Sequence, residues 1–196
     1  MLELQRVAAT VLACLGVSIL AAVAPPSARA EVQTCTGSLG AITVDDVRVS
    51  QNATCTLTGT RVRGTITVQR NATLIARGVL VHGNVQAERA FAVVVRAWPR
   101  FGGSVIFGSV QLKEGGSVSV TRSRISGDLQ IESSRRFVRV NDNRVYGSIQ
   151  IVGNTGGAAI FRNFVVGNLQ CKENRPAPTG GANVTGANKE DQCRRL

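Results

Sequence analysis

The side chains able to do acid–base or metal chemistry are sparse in this 196-residue sequence. Its carboxylates include Asp45 with Asp46, Glu88, Glu114, Asp128, Glu132, Asp142 and Glu173. Enzymes that cleave glycans bring two carboxylates together, one as acid and one as base or nucleophile. Asp128 and Glu132 flank one short apolar stretch but sit in a single repeat, and Asp45-Asp46 reads as a turn. His82 is the single histidine, so an imidazole mechanism would rest on one residue. No nucleophile turn or phosphate loop is recognisable. These residues lean away from catalysis, and they assign no catalytic, cofactor-binding or metal site and no cofactor.

Arginine offers a different chemistry. The chain carries 23 Lys and Arg against 12 Asp and Glu, a net charge of +11, and only Glu3, Arg6 and Arg29 of these precede residue 31. Such a charge attracts anionic polymers. Specific nucleic-acid recognition is not expected, because the sequence has few aromatics and no binding motif. Three Asn-x-Thr triplets, at Asn52, Asn71 and Asn183, would accept glycans only in a eukaryotic secretory route.

A repeat must position these groups. The pattern Gly, any residue, apolar, Thr or Gln, apolar starts at Gly40, Gly64, Gly83, Gly108, Gly127, Gly147 and Gly167. Two residues before the next glycine stand Val62, Val81, Ile106, Ile125, Val145 and Val165. Seven before it stand Leu57, Ala76, Val120, Val140 and Ile160, and nine before it Cys55, Leu74, Val118, Val138 and Ala158. Apolar residues two apart indicate strands, and several short strands in a period near 20 indicate a β-solenoid. A single coil cannot bury its apolar side chains, but stacked coils share one core. The expected fold is all-β: a single-domain right-handed parallel β-helix of about six to seven coils. Steps of 19 and 20 residues are not multiples of six, which disfavours the left-handed hexapeptide form.

Residues 1–30 read as a signal peptide. An apolar run from Val7 to Ala24 precedes Pro25-Pro26 and the small-x-small site Ala28-Arg29-Ala30. A retained transmembrane anchor is the alternative reading. With cleavage, no stable membrane span remains and the protein is secreted, extracellular or periplasmic. Four cysteines follow, an even number suited to disulfides in an exported chain. Cys55 and Cys171 occupy inward slots of the first and last coils, while Cys35 precedes and Cys193 follows the coils. The expected pairs are therefore Cys35–Cys55 and Cys171–Cys193, each pinning a cap over an open end. A zinc site is the weaker alternative, since no Cys-x-x-Cys is present. The expected organisation is an N-terminal cap at 31–39, coils at 40–171 and a C-terminal cap loop at 172–196. In that last segment Pro176, Pro178, Gly180, Gly181 and Gly186 argue against regular strands.

The coil that starts at Gly83 has 25 residues, with an excess around Ala97–Gly103 that contains Trp98, Arg100 and Phe101. The aromatics suit stacking on a sugar ring and the arginine an anionic group; the alternative is that Trp98 and Phe101 fold back over the solenoid. Two outward columns are expected. One runs Thr43, Thr67, Gln86, Gln111, Gln130, Gln150 and Gln170, an amide ladder. The other joins Arg61, Arg124 and Arg144 to Arg122 and Arg162, with Asp142 between the last two. With Trp98, Arg100 and Phe101, these five arginines form the candidate binding surface.

The short Gly-x-Ile-Thr/Gln-Val coils over residues 40–171 resemble the bactofilins, bacterial polymer-forming proteins with a right-handed parallel β-helix. They are also similar to small exported bacterial β-helix proteins of unassigned function and, in architecture, to the pectin-lyase-like superfamily. Bactofilins are cytoplasmic or bound to the inner membrane and polymerise through bare ends, whereas this chain carries an export signal and cysteine-pinned caps. The leading expectation is a monomeric, non-catalytic envelope protein that binds or structures an anionic polymer or cell-surface glycan. The alternatives are a bactofilin-like structural polymer and an uncharacterised carbohydrate-active enzyme.

Overall fold

The computed structural model describes residues 31–196, and the leader assigned to residues 1–30 lies outside them. The two-residue apolar spacing becomes 25 short strands, with no helix among the described residues. They form three parallel sheets of nine, eight and eight strands, so the chain winds through about eight coils. A typical coil gives Val85–Glu88 to the first sheet, Ala92–Arg96 to the second and Ser104–Ile106 to the third.

The coil count exceeds the expected six to seven because both segments read as caps pair as strands. Val32–Cys35 pairs with Asp46–Val49, and Ser38–Leu39 with Thr56 and Leu57. The segment read as a C-terminal loop contributes Thr179–Gly181, Val184–Thr185 and Lys189–Asp191, one strand to each sheet. Its prolines lie in the bend before Thr179, and strand pairing uses only backbone, which Gly180 and Gly181 supply against Ile160 and Phe161. Both disulfides form as expected, with Cα–Cα distances of 5.6 Å for Cys35–Cys55 and 5.0 Å for Cys171–Cys193. All four cysteines are buried.

The core is one stack of inward columns. The residues two before each glycine, Val62 to Val165, are fully buried, as are Leu57, Ala76, Val120, Val140 and Ile160. Val93 and Val95 fill the same two columns in the long coil, beside Val118 and Val120. That coil's extra residues therefore lie between its second and third strands.

Side-chain polar ladders turn the chain at the three corners. Between the third and first sheets stand Asp46, Thr65, Asn84, Ser109, Asp128, Ser148 and Asn168. Each accepts the backbone N–H of its counterpart one coil on, as in Ser109 N–H to Asn84 Oδ1 at 2.8 Å and Ser148 N–H to Asp128 Oδ1 at 2.7 Å. The second position of the repeat is thus small and polar by requirement. Between the second and third sheets Asn143, Asn163 and Asn183 stack, fully or nearly buried, and accept the N–H groups of Ser123, Asn143 and Asn163 at 3.0–3.1 Å. Between the first and second sheets Asn154 and Asn174 do the same for Ser134 and Asn154, and Gln192 closes that ladder. These amides satisfy main-chain groups that leave the sheet where the chain bends, as buried polar groups must be satisfied.

Close stacking at the first of these corners explains the glycine that starts each repeat from Gly64 onward. A Cβ on Gly83 would lie 2.5 Å from the carbonyl oxygen of Gly64 and 2.7 Å from Thr65 Oγ1. Gly83→Ala is expected to cost about 1–3 kcal/mol, the range for overpacking. Denaturant unfolding measures this, and wild-type stability in the variant would mean that the coils can part at this corner.

Candidate functional site

The outer face of the third sheet carries several exposed aromatic and aliphatic side chains beside arginines, of which Arg63 is paired with Asp45. Each of its strands turns two residues outward, the third and the first before the glycine. The first row reads Arg61, Leu80, Val105, Arg124, Arg144, Phe164 and Val184. The neighbouring row reads Arg63, His82, Phe107, Ser126, Tyr146 and Val166. Phe107, Tyr146, Phe164, Val166 and Val184 are 42–58% exposed. The His82 and Phe107 rings stack at 5.1 Å. The Arg144 guanidinium lies 4.8 Å from the Phe164 ring centre and 5.3 Å from that of Tyr146, so the rings hold the cation in place without neutralising it. Of these two rows the sequence singled out only Arg61, Arg124 and Arg144.

A groove of about 600 Å³ runs along this face at its border with the second sheet, lined by Gly103, Val105, Arg122, Arg124, Arg144 and Phe164, among others. Three of the candidate arginines therefore share one groove. Arg124 and Arg144 are Cα partners in adjacent strands, and among the described residues neither makes an ion pair. Arg162 is neutralised as its position implied: Nε donates to Asp142 Oδ1 at 2.6 Å and an Nη to Oδ2 at 3.1 Å. This bonding, with the charges of Arg162 and Arg122, holds the Asp142 carboxyl below its usual range. Arg61 lies three strands from Arg124, about 14 Å at the usual inter-strand spacing.

The long-coil insertion folds back. Trp98 and Gly102 exchange two backbone hydrogen bonds of 2.7 Å, closing a tight hairpin with Pro99 and Arg100 exposed at its tip. Phe101 packs over Gly59 and Gly78, where an added Cβ would come within 2.7 Å of its ring or Cβ. The Arg77 guanidinium lies over the Trp98 ring at 5.1 Å. The packed faces of Trp98 and Phe101 are thus occupied by the solenoid itself. The loop ends at Gly103 and so stands at the edge of the groove.

The amide ladder is present from Gln86 to Gln150, with Nε2 to Oε1 distances of 3.3–3.4 Å, and Gln170 donates instead to Glu190 at 3.1 Å. Thr43 does not belong to it. Arg48 is the Cα partner of Thr67, and Thr43 pairs with Arg61 in the third sheet. Gly40 therefore mimics the repeat without its register, and Thr43 and Val44 form the edge strand of the third sheet among the described residues. Three of the carboxylates have structural partners. Asp128 sits in the corner ladder, Glu132 lies 3.7 Å from Lys113, and Asp46 accepts the Thr65 N–H at 2.6 Å.

Fold and face together define a parallel β-solenoid with a disulfide near each end and a cationic, aromatic third-sheet face. No protein-family model, curated protein or solved structure matches the chain.

Proposed function

We propose that this protein is a non-catalytic binding or structural component of the cell exterior that holds anionic polysaccharide on the third-sheet face. The observation that carries the reading is the pair Arg124 and Arg144, adjacent, exposed and without carboxylate partners, set among Tyr146, Phe164 and Phe107. Guanidinium forks match carboxylate and sulfate groups, while exposed rings present flat apolar faces to sugar rings. Exposed apolar patches rimmed by polar residues are a common mark of binding. The two disulfides suit an oxidising extracellular or periplasmic compartment.

The double variant Arg124→Glu with Arg144→Glu is expected to bind a carboxylated or sulfated glycan roughly tenfold more weakly at low salt, since rim charges act mainly through encounter rate. Asp142→Asn should bind a few-fold more tightly, because it frees Arg162 and removes the negative charge beside Arg122. Both differences should shrink at physiological salt. Surface-immobilised glycan binding reads all three proteins, and equal affinity would reject this face as the site.

The bactofilin-like reading rests on coil architecture and would have the solenoids stack end to end into a polymer. Sedimentation velocity with disulfides intact separates the two, since large assemblies without ligand would favour the polymer.

A further inference from the structure

The corner between the first and second sheets carries a second cationic groove that the surface above does not include. It encloses about 280 Å³ and is lined by Arg70, Arg89, Phe91, Glu114, Arg135 and Arg136, with Gly115 and Gly116. Glu114 is committed to Arg89, whose Nε donates to it at 2.9 Å, and this bond and charge hold the Glu114 carboxyl below its usual range. Among the described residues Arg70, Arg135 and Arg136 make no ion pair. Arg136 lies 4.7 Å from the centre of the Phe91 ring, which is 49% exposed. Gly115 and Gly116 add no side chain to the groove, and a Cβ on Gly116 would collide with the Phe91 carbonyl oxygen. Cations, a ring and open backbone therefore recur here, drawn from four successive coils.

In a solenoid of three sheets, the corner between the first two faces away from the third. We infer that this groove is a second site for anionic polysaccharide and that the protein bridges two polymer chains from opposite sides of one rigid prism. The second sheet's face, five residues wide, separates the two grooves, so a short oligosaccharide seated in one leaves the other open to a separate chain. The second site stands on its own residues; the bridging also rests on the third-sheet reading proposed above.

Titration calorimetry of the purified protein with a heparin hexasaccharide at low salt tests both parts. The wild type should take up two hexasaccharides per chain. Arg135→Glu with Arg136→Glu, and separately Arg124→Glu with Arg144→Glu, should each take up one. All four positions are exposed, and thermal unfolding of each variant checks that its fold is kept. Full-length heparin should raise light scattering sharply with the wild type and with neither variant. Unchanged uptake in the Arg135/Arg136 variant overturns the second site. Uptake that falls to none in that variant, and is unchanged in the Arg124/Arg144 variant, leaves the corner site standing and overturns both the third-sheet reading and the bridge. No uptake by the wild type overturns all three.

Discussion

Asn163→Ala should destabilise the protein by about 4 kcal/mol, taking 1–3 kcal/mol for each buried polar group left unsatisfied. Asn163 Oδ1 accepts the Asn143 N–H at 3.1 Å and its Nδ2 at 3.0 Å. Asn163 Nδ2 donates to the Val140 carbonyl at 2.7 Å and to Asn183 Oδ1 at 2.9 Å. Truncation removes all four bonds in a corner with no room for bulk water, since Asn143, Asn163 and Asn183 are 1–4% exposed. The drop in melting temperature should be on the order of 10 °C for a domain of this size. Gln150→Ala is the contrast. Its amide also sits in a ladder, but a partly exposed one that water can replace, so its loss should cost under about 1 kcal/mol. Equal losses in the two variants would show that the buried asparagines do not hold the corners.

Cys171→Ala with Cys193→Ala should cost roughly 3 kcal/mol in the chain-entropy account of a loop of about 20 residues. The effect should be local as well as large. Solenoid coils contact only their neighbours, so stability is a sum of coil and interface contributions. The last coil has weak strands of three, two and three residues, and Cys193 is its fully buried anchor. Hydrogen exchange should lose protection across residues 179–191 while the Gln86–Gln150 coils keep theirs. Exposed end strands then invite edge pairing, so the same variant should self-associate more readily than the wild type. Uniform loss of protection along the chain would instead mean that the solenoid melts as one unit.

The inward columns were legible because burial imposes a strict choice: Ile106, Ile125, Val145 and Val165 recur two before each glycine, and nothing polar fits there. The disulfide pairing followed from the same columns, since Cys55 and Cys171 fall in inward slots. The candidate site was legible only in part. Arg122, Arg124 and Arg144 were found by register and do share a groove. Phe107, Tyr146 and Phe164 were not, because outward positions accept any residue and so leave no periodic trace. Trp98 and Phe101 resembled a binding loop by composition, but the bare backbone of Gly59 and Gly78, in earlier coils, provides the seat onto which they fold.

By itself, the sequence determined the solenoid, its strand spacing and its two disulfide pairs, because a shared core filters residue type at fixed intervals. The tertiary structure alone decided which outward residues became neighbours. Side chains 20 residues apart come within one strand spacing only after the coils stack, and the stacking also settles which charges are cancelled, as at Asp142 and Arg162, and which remain free, as at Arg124 and Arg144.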